Sequence, residues 1–352
     1  MGTGGRGRSW ALAAMLAVTA GRADAADLRI LTWDAYMAPD LLTRFEAETG
    51  IHPVVVTASG YPEMLARLEM IQPGIDVVNP ADYQMEELIR RKLVQRVGAA
   101  DLPHFFDIED AWVSRPFDPE NQYAIPFLWG TSSFVVDTSV YHGNIDTLSL
   151  MYDPPPELRG RQSFIGDAAD AVVGALIYLN LPRCTTDPAD LAKVETLLRP
   201  LIRDARAVTT IASVIDVLSS PGVAIGMTWN GDAMRARERR PSLRYAYPPH
   251  GVQLWTDLLA VAHDAPNPQA ARAFLTFMLR PENAALETNF TRYANSIHGS
   301  EAQMAPALLS APEVVVPRNA ALNFAGMCHV EVMSAQQALL RRIIDEERGG
   351  AL

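Results

Sequence analysis

LRILTWDAYMAPDLLTRFEAETGIHPVVVTA, residues 28–58, reads as strand, helix, strand, and the order of everything after it follows that alternation. Leu28 to Leu31 is a short apolar run. Pro39 to Thr49 reads as a helix, with proline near its start, Gly50 just past its end, and Leu41, Leu42 and Phe45 on one face. Pro53 to Thr57 is β-branched and reads as a second strand. A further helix from Pro62 to Met70 carries Met64, Leu65 and Leu68, and Ile75 to Val78 has the continuous apolar character of a buried parallel strand. Strand, helix, strand, helix, strand predicts a parallel α/β sheet. In such sheets ligands bind beyond the carboxyl ends of the strands, where this chain places Trp33, Asp34, Ala35 and Tyr36.

Downstream, Tyr83 to Lys92 is expected to be helical, Val97 to Gln122 irregular, and Ala124 to Asp137 a strand. Helices are expected at Asp167 to Tyr178 and at Pro188 to Asp204, the latter with Leu191, Val194, Leu198, Leu201 and Ile202 at helical spacing. Strands follow at Val223 to Trp229 and Leu254 to Val261. The helix Pro268 to Leu279 has Asn267 as its expected cap and Pro281 as its stop signal. Glu331 to Glu347 reads as a terminal helix. At least two sheets with helical cover are expected.

The first residues set the compartment. Arg6 and Arg8 precede an apolar run from Trp10 to Ala20, and Ala23, Asp24 and Ala25 form an A-x-A site, so residues 1–25 read as an export signal and Ala26 as the first residue of the exported protein. No later segment has the roughly 20 apolar residues of a transmembrane helix, so the protein is expected not to be membrane-embedded. Of 352 residues, 30 are basic and 41 acidic; without the signal 27 and 40 remain, a net charge of −13. That balance repels phosphate backbones and suits a cation, which argues against nucleic acid as a partner. The chain exceeds what one hydrophobic core usually organises, so two lobes are expected.

Cys184 and Cys328 are the two cysteines, and an oxidising compartment would allow them to pair; two separate buried thiols are the alternative. Neither lies in C-x-x-C, and the seven histidines form no H-E-x-x-H, so no metal or cofactor is expected. G-x-S-x-G and G-x-x-x-x-G-K-[ST] are absent as well, so no catalytic residues are assigned.

The stretches Trp33 to Gly50, Tyr123 to Gly130 (Y-A-I-P-F-L-W-G), Cys184 to Leu191 (C-T-T-D-P-A-D-L) and Gly226 to Gly231 (G-M-T-W-N-G), together with Trp255, Thr256 and Asp257, resemble the spermidine/putrescine-binding proteins of ABC importers. The blocks occur in that family's order along nearly the whole exported chain. The resemblance implies a type II periplasmic-binding-protein fold: two α/β lobes with a ligand cleft and hinge between them. It places residues 26–130 and 257–305 in lobe 1, and 131–256 and 306–352 in lobe 2. It implies a monomeric periplasmic receptor, not an enzyme, with a polyamine as ligand and an inner-membrane ABC permease as partner.

A polyamine needs carboxylate or hydroxyl acceptors for each ammonium and apolar walls for its methylenes. Trp255 and Asp257, two apart on a strand, present a ring and an acid to one space, and match the family's central amine-recognition pair. Asp167 and Asp170, three apart at a helix start, match family carboxylates, and a capping geometry would keep them ionised. Trp33, Tyr36, Tyr83, Trp229 and Tyr293 match positions where rings or hydroxyls line the cleft. Three departures stand out. The family generally has Ser where Ala81 sits and Glu where Asp170 sits; Asp34 occupies a Ser or Thr position, with the family's acid displaced from Ala35. Asp82 is a nearby carboxylate that could compensate.

Two other readings are open. Another cationic or zwitterionic amine would fit the altered positions. A secreted hydrolase would use Asp167 and Asp170 as acid and base, and would need one carboxyl with a raised pKa where an ammonium site needs both ionised. Iron capture fits less well, because Tyr293 stands without a neighbouring tyrosine.

Overall fold

A computed structural model describes residues 1–2, 27–70, 74–249, 252–317, 322–323 and 328–350. The expected export signal falls almost wholly on residues 3–26, outside the described residues. The chain opens with β1 (Leu28–Trp33), α1 (Pro39–Thr49), β2 (Pro53–Ala58), α2 (Tyr61–Leu68), β3 (Val77–Val78) and α3 (Asp82–Arg90). β1 lies between β2 and β3 and is parallel to both, which is the arrangement the alternating pattern predicts. α1 ends as its sequence requires: Gly50 takes φ 72° and returns its N–H to the Glu46 carbonyl.

β4 (Ala124–Asp137) then runs through the middle of the molecule. After it come α4 (Ser149–Tyr152), β5 (Gln162–Ile165), α5 (Ala168–Tyr178), α6 (Pro188–Asp204), β6 (Ala207–Thr209), α7 (Val214–Ser219), β7 (Ile225–Trp229), α8 (Asn230–Arg239) and β8 (Leu243–Tyr245). β9 (Val252–Val261), α9 (Pro268–Met278), α10 (Pro281–Thr291) and β10 (Ala294–Asn295) return to the first half, and α11 (Pro306–Leu309), β11 (Leu322–Asn323) and α12 (Val330–Arg348) complete the chain.

The expectation of at least two sheets is corrected. A single sheet is continuous in the order β2-β1-β3-β9-β4-β7-β5-β6. Its centre is the antiparallel pair β4 and β9, whose register runs from Ala124 opposite Ala260 to Ser132 opposite Gln253. Beyond that point β4 pairs with β7 and β8 instead. One 14-residue strand thus carries the backbone ladder through both halves of the molecule.

The cores are separate even though the sheet is not. One packs Leu28, Ile30, Leu41 and Phe45 against Leu259, Phe274, Leu275 and Phe277; the other packs Phe134, Phe164, Val172, Leu176, Val194 and Leu198 against Leu340, Ile343 and Ile344. A two-lobed α/β protein results. Cys184 and Cys328 do pair, with Cα atoms 5.4 Å apart, and so tie the chain ahead of α6 to the start of α12. By the chain-entropy argument, closing a loop of 144 residues destabilises the unfolded chain by on the order of 5 kcal/mol.

Two helix-end expectations also change. Asn267 stands at the N-cap of α9, but its side chain donates to the Asp27 carbonyl instead of capping, and its own N–H donates to Asp76. Pro281 stops α9 and at once begins α10, taking the first helical position that proline tolerates. α10 buries Asn283, Glu287, Thr288 and Thr291 along with small alanines, so it has no apolar stripe to betray it.

Candidate functional site

Trp33, Asp34, Tyr36, Tyr83, Asp167, Asp170, Trp229, Trp255, Asp257 and Tyr293 all line one cleft of about 300 Å³. The elements that deliver them come from both halves of the sheet. β1 ends at Trp33, and the turn after it, with Ala35 at φ 51°, presents Tyr36. Tyr83 stands in the first turn of α3, its hydroxyl accepting from Gln84 at 2.8 Å. Trp229 ends β7, and Asp167 is the N-cap of α5, accepting from the Ala169 N–H at 2.8 Å.

β9 supplies the centre. Its register against β4 slips between Pro126 and Leu128, a bulge that leaves Phe127 unpaired directly beside Asp257. Asp257 and Trp255 face the cleft together, as their spacing on a strand requires. The rings interlock: Tyr36 meets Phe127 at 6.0 Å and Tyr293 at 5.7 Å, and Tyr293 meets Trp255 edge-on at 5.1 Å. Two glycines permit this. A Cβ on Gly130 would lie 2.5 Å from the Trp255 ring, and one on Gly231 would lie 2.7 Å from Tyr293. These glycines close the Y-A-I-P-F-L-W-G and G-M-T-W-N-G stretches, so the motif residues are spacers for the aromatic wall.

The acids are buried and short of partners. Burial pushes the Asp257 carboxyl up to about 8, opposed by the facing Tyr36 hydroxyl and reinforced by the charge of Asp82. The Tyr36 hydroxyl lies toward Asp257 without a well-formed hydrogen bond, and the Trp255 indole N–H is buried without a partner. Burial likewise lifts Asp170 to about 8, with Asp167 adding to the rise, while hydrogen bonds from Ser132 and Trp229 favour its charged form. Asp167 is raised by desolvation against its helix cap. Desolvation thus opposes the ionisation that capping is expected to secure at Asp167 and Asp170. Because Asp257 is lifted as well as Asp170, a raised carboxyl does not single out an acid and base pair.

Asp34 is exposed at the rim, away from the buried acids. Asp82 is not among the cleft-lining residues; it is buried at the first position of α3 and accepts the Tyr83 N–H at 2.8 Å, acting on Asp257 and Tyr83 through its charge. Sequence reading missed Asp232, Ser132, Gln84 and Arg235, all of which line the cleft. Asp232 was findable: it follows Trp229 by three residues in the first turn of α8, and Tyr293 hydrogen-bonds to it. Asn230 locks this corner, accepting from the Thr131 N–H at 2.8 Å and donating to the Glu313 carbonyl at 2.7 Å. Among the described residues no group of three or more His, Cys, Asp or Glu could hold a metal ion, and no helix is long and apolar enough to cross a membrane.

Two α/β lobes threaded by shared strands, with a cleft lined from both, define a type II periplasmic binding protein. The profile of the bacterial extracellular solute-binding proteins matches residues 40–314, and the chain belongs to that family. The spermidine/putrescine-binding periplasmic protein of Salmonella typhimurium is 28% identical over 259 residues, covering 73% of this chain and 74% of the relative. A putrescine/agmatine-binding protein of Pseudomonas aeruginosa is 27% identical over 312 residues, covering 81% and 83%. Among solved structures, the spermidine/putrescine ABC transporter substrate-binding protein of Streptococcus pneumoniae superposes with a TM-score of 0.75 at 21% identity, covering 92% of this chain and all of the other. The fold is shared more widely: an Agrobacterium binding protein in complex with agropinic acid superposes with a TM-score of 0.66 at 15% identity.

Proposed function

We propose that this chain is a monomeric periplasmic receptor that captures a polyamine, putrescine or spermidine, in the interlobe cleft and passes it to the permease of an ABC importer. One observation carries the reading. Asp257 and Asp170 are buried carboxyls without a cationic partner among the described residues, set in a cleft walled by Trp33, Tyr36, Tyr83, Trp229, Trp255 and Tyr293. A buried charge without a partner is costly, and an alkyl diammonium supplies both the missing cations and the methylenes that rings prefer. Charge-assisted hydrogen bonds contribute roughly 1.5–3 kcal/mol each and desolvated cation-π contacts roughly 1–2, so two or three of each exceed the roughly 8 kcal/mol of a micromolar complex. The surplus covers closure and ordering.

Binding rather than hydrolysis is supported by the family's role, and a periplasmic site by the relatives named for that compartment. The two largest cores support a division into 26–130 with 257–305 and 131–256 with 306–352, except that Leu254 and Trp255 pack with the first; a hinge at the β4 and β9 pair belongs to the same reading. Calorimetric titration with putrescine and spermidine tests the reading. Wild-type protein is expected to bind at least one of them, and Asp257→Asn to lose about 100-fold in affinity or more, the scale of unpairing a buried charge. No binding of any polyamine by the wild type rejects the reading, and an unaltered Asp257→Asn isotherm rejects the role of Asp257.

A further inference from the structure

Six aspartates line the cleft, Asp34, Asp167, Asp170, Asp216, Asp232 and Asp257, yet two arginines line it as well. A cleft for cations has no use for a bare guanidinium, so where each arginine points matters. Arg239 pairs with Asp216 at 2.5 Å at the mouth, and both side chains are more than half exposed. Arg235 lies deeper. Its side chain is 25% exposed and its Nη1 is 3.7 Å from Asp232, which is 11% exposed. The pair stands three apart in the first turns of α8, so the helix itself holds the guanidinium over the acid.

The acids fall into groups. Asp170 accepts from Ser132 and Trp229 and lies close to Asp167, while Tyr83 feels both Asp167 and Asp257. Asp257 faces Tyr36, while Tyr36 and Tyr293 each feel both Asp257 and Asp232. Acids therefore stand at three places in the cleft: the Asp167 and Asp170 pair, Asp257, and Asp232. Among the described residues Asp232 is the one of these with a cleft-lining guanidinium beside it, whereas the Arg341 charge that reaches Asp167 comes from outside the cleft lining.

We propose that Arg235 sets the ligand's length and charge: it occupies beside Asp232 the place a third ammonium would take, so the cleft selects diamines over triamines. This rests on the polyamine reading above. Two ammonium groups have free acceptors at Asp257 and at the Asp167 and Asp170 pair. A third, extending toward Asp232, meets a fixed positive charge and either displaces it or stays partly in solvent. Like charges brought together in a desolvated site are strongly disfavoured, so the arginine discriminates by repulsion.

Titrating putrescine, cadaverine, spermidine and 4-aminobutyrate into wild-type protein, Arg235→Gln and Arg235→Lys tests this. The wild type is expected to bind the diamines about tenfold more tightly than spermidine, Arg235→Gln to shift that ratio toward spermidine by about tenfold, and Arg235→Lys to keep the diamine preference. A wild-type preference for spermidine overturns the proposal, as does an unchanged ratio in Arg235→Gln. Tighter binding of 4-aminobutyrate than of putrescine also overturns it, since Arg235 would then serve a ligand carboxylate. In all three cases the wild type still binds an amine; failure to bind any amine rejects the polyamine reading itself.

Discussion

On one wall of the cleft, carried by β4, β9 and the turns after β1 and α10, Tyr36, Tyr293, Trp255 and Phe127 lock ring against ring around a single acid, Asp257. On the other, carried by α5 and α8, Asp167, Asp170 and Asp232 rest on the first turns of two helices with Trp229 among them. The first wall is held by ring packing; the second is held by hydrogen bonds and helix ends. α12 braces it: Gln337 accepts from the Ala168 N–H at 2.8 Å and donates to the Gly166 carbonyl at 2.9 Å. Shape on one side and adjustable charge on the other is what a receptor needs if an alkyl chain is to be gripped and its ammoniums counted.

Breaking the packed wall should have the largest effect. Gly130→Ala puts a Cβ 2.4 Å from the Asn230 side chain and 2.5 Å from the Trp255 ring, so Trp255 or the strand must move. Overpacking of this kind costs roughly 1–3 kcal/mol, and urea denaturation is expected to show it together with loss of polyamine binding. Full binding in Gly130→Ala would mean that the rings are not the rigid element.

The buried acids of both walls should respond to pH. Burial raises Asp257 and Asp170 to about 8, and an ammonium needs them ionised. Binding therefore releases protons, and affinity is expected to fall as pH drops from 8 toward 6, by up to about tenfold per unit for each proton released. For the free protein the sign is opposite. A carboxyl whose folded pKa is raised stabilises most below its ordinary range near 4 and loses that contribution as pH rises toward 8. The ligand-induced rise in melting temperature should thus be larger at pH 8 than at pH 6, and Asp257→Asn should flatten the difference. Equal shifts at both pH values would put the protons elsewhere.

A smaller change sharpens the contrast. Asp170→Asn removes a buried charge but keeps the volume, so ligand-free protein is expected to melt no lower than wild type above pH 8 while affinity falls by about tenfold, one charge-assisted hydrogen bond. At the rim, Asp34→Ala is expected to change affinity less than about threefold, with an effect on association rate that fades as salt rises, because exposed charges are screened. A large loss there would move the site outward.

Much of this was legible from residues alone. The parallel order of β1, β2 and β3 followed from their apolar runs, and the cleft aromatics from their position after strands. The single sheet was not legible, because β4 and β9 are separated by more than a hundred residues and only their pairing joins the halves. α8 and α10 escaped notice for a different reason: their buried faces include Asn230, Asp232, Asn283 and Glu287 among small residues, with Asn230 and Glu287 bonded to distant backbone, so no apolar period marks them. Asp232 and Arg235 were missed with α8, which is why a site expected to be wholly acidic holds a guanidinium. The protonation of the buried acids depends on depth, and spacing along a chain carries no measure of depth.

The sharing of β4 and β9 between lobes also fixes the order in which the molecule can come together. The core around β1 is closed by Leu259, Phe274 and Leu275, and the Ala38 N–H meets Glu287 across 249 positions. Nothing in the first hundred residues can complete its core as it is synthesised; loop closure must wait until about residue 290 has emerged. Nascent chains ending before that point should stay open to protease, because the first lobe's core has no closing face until then.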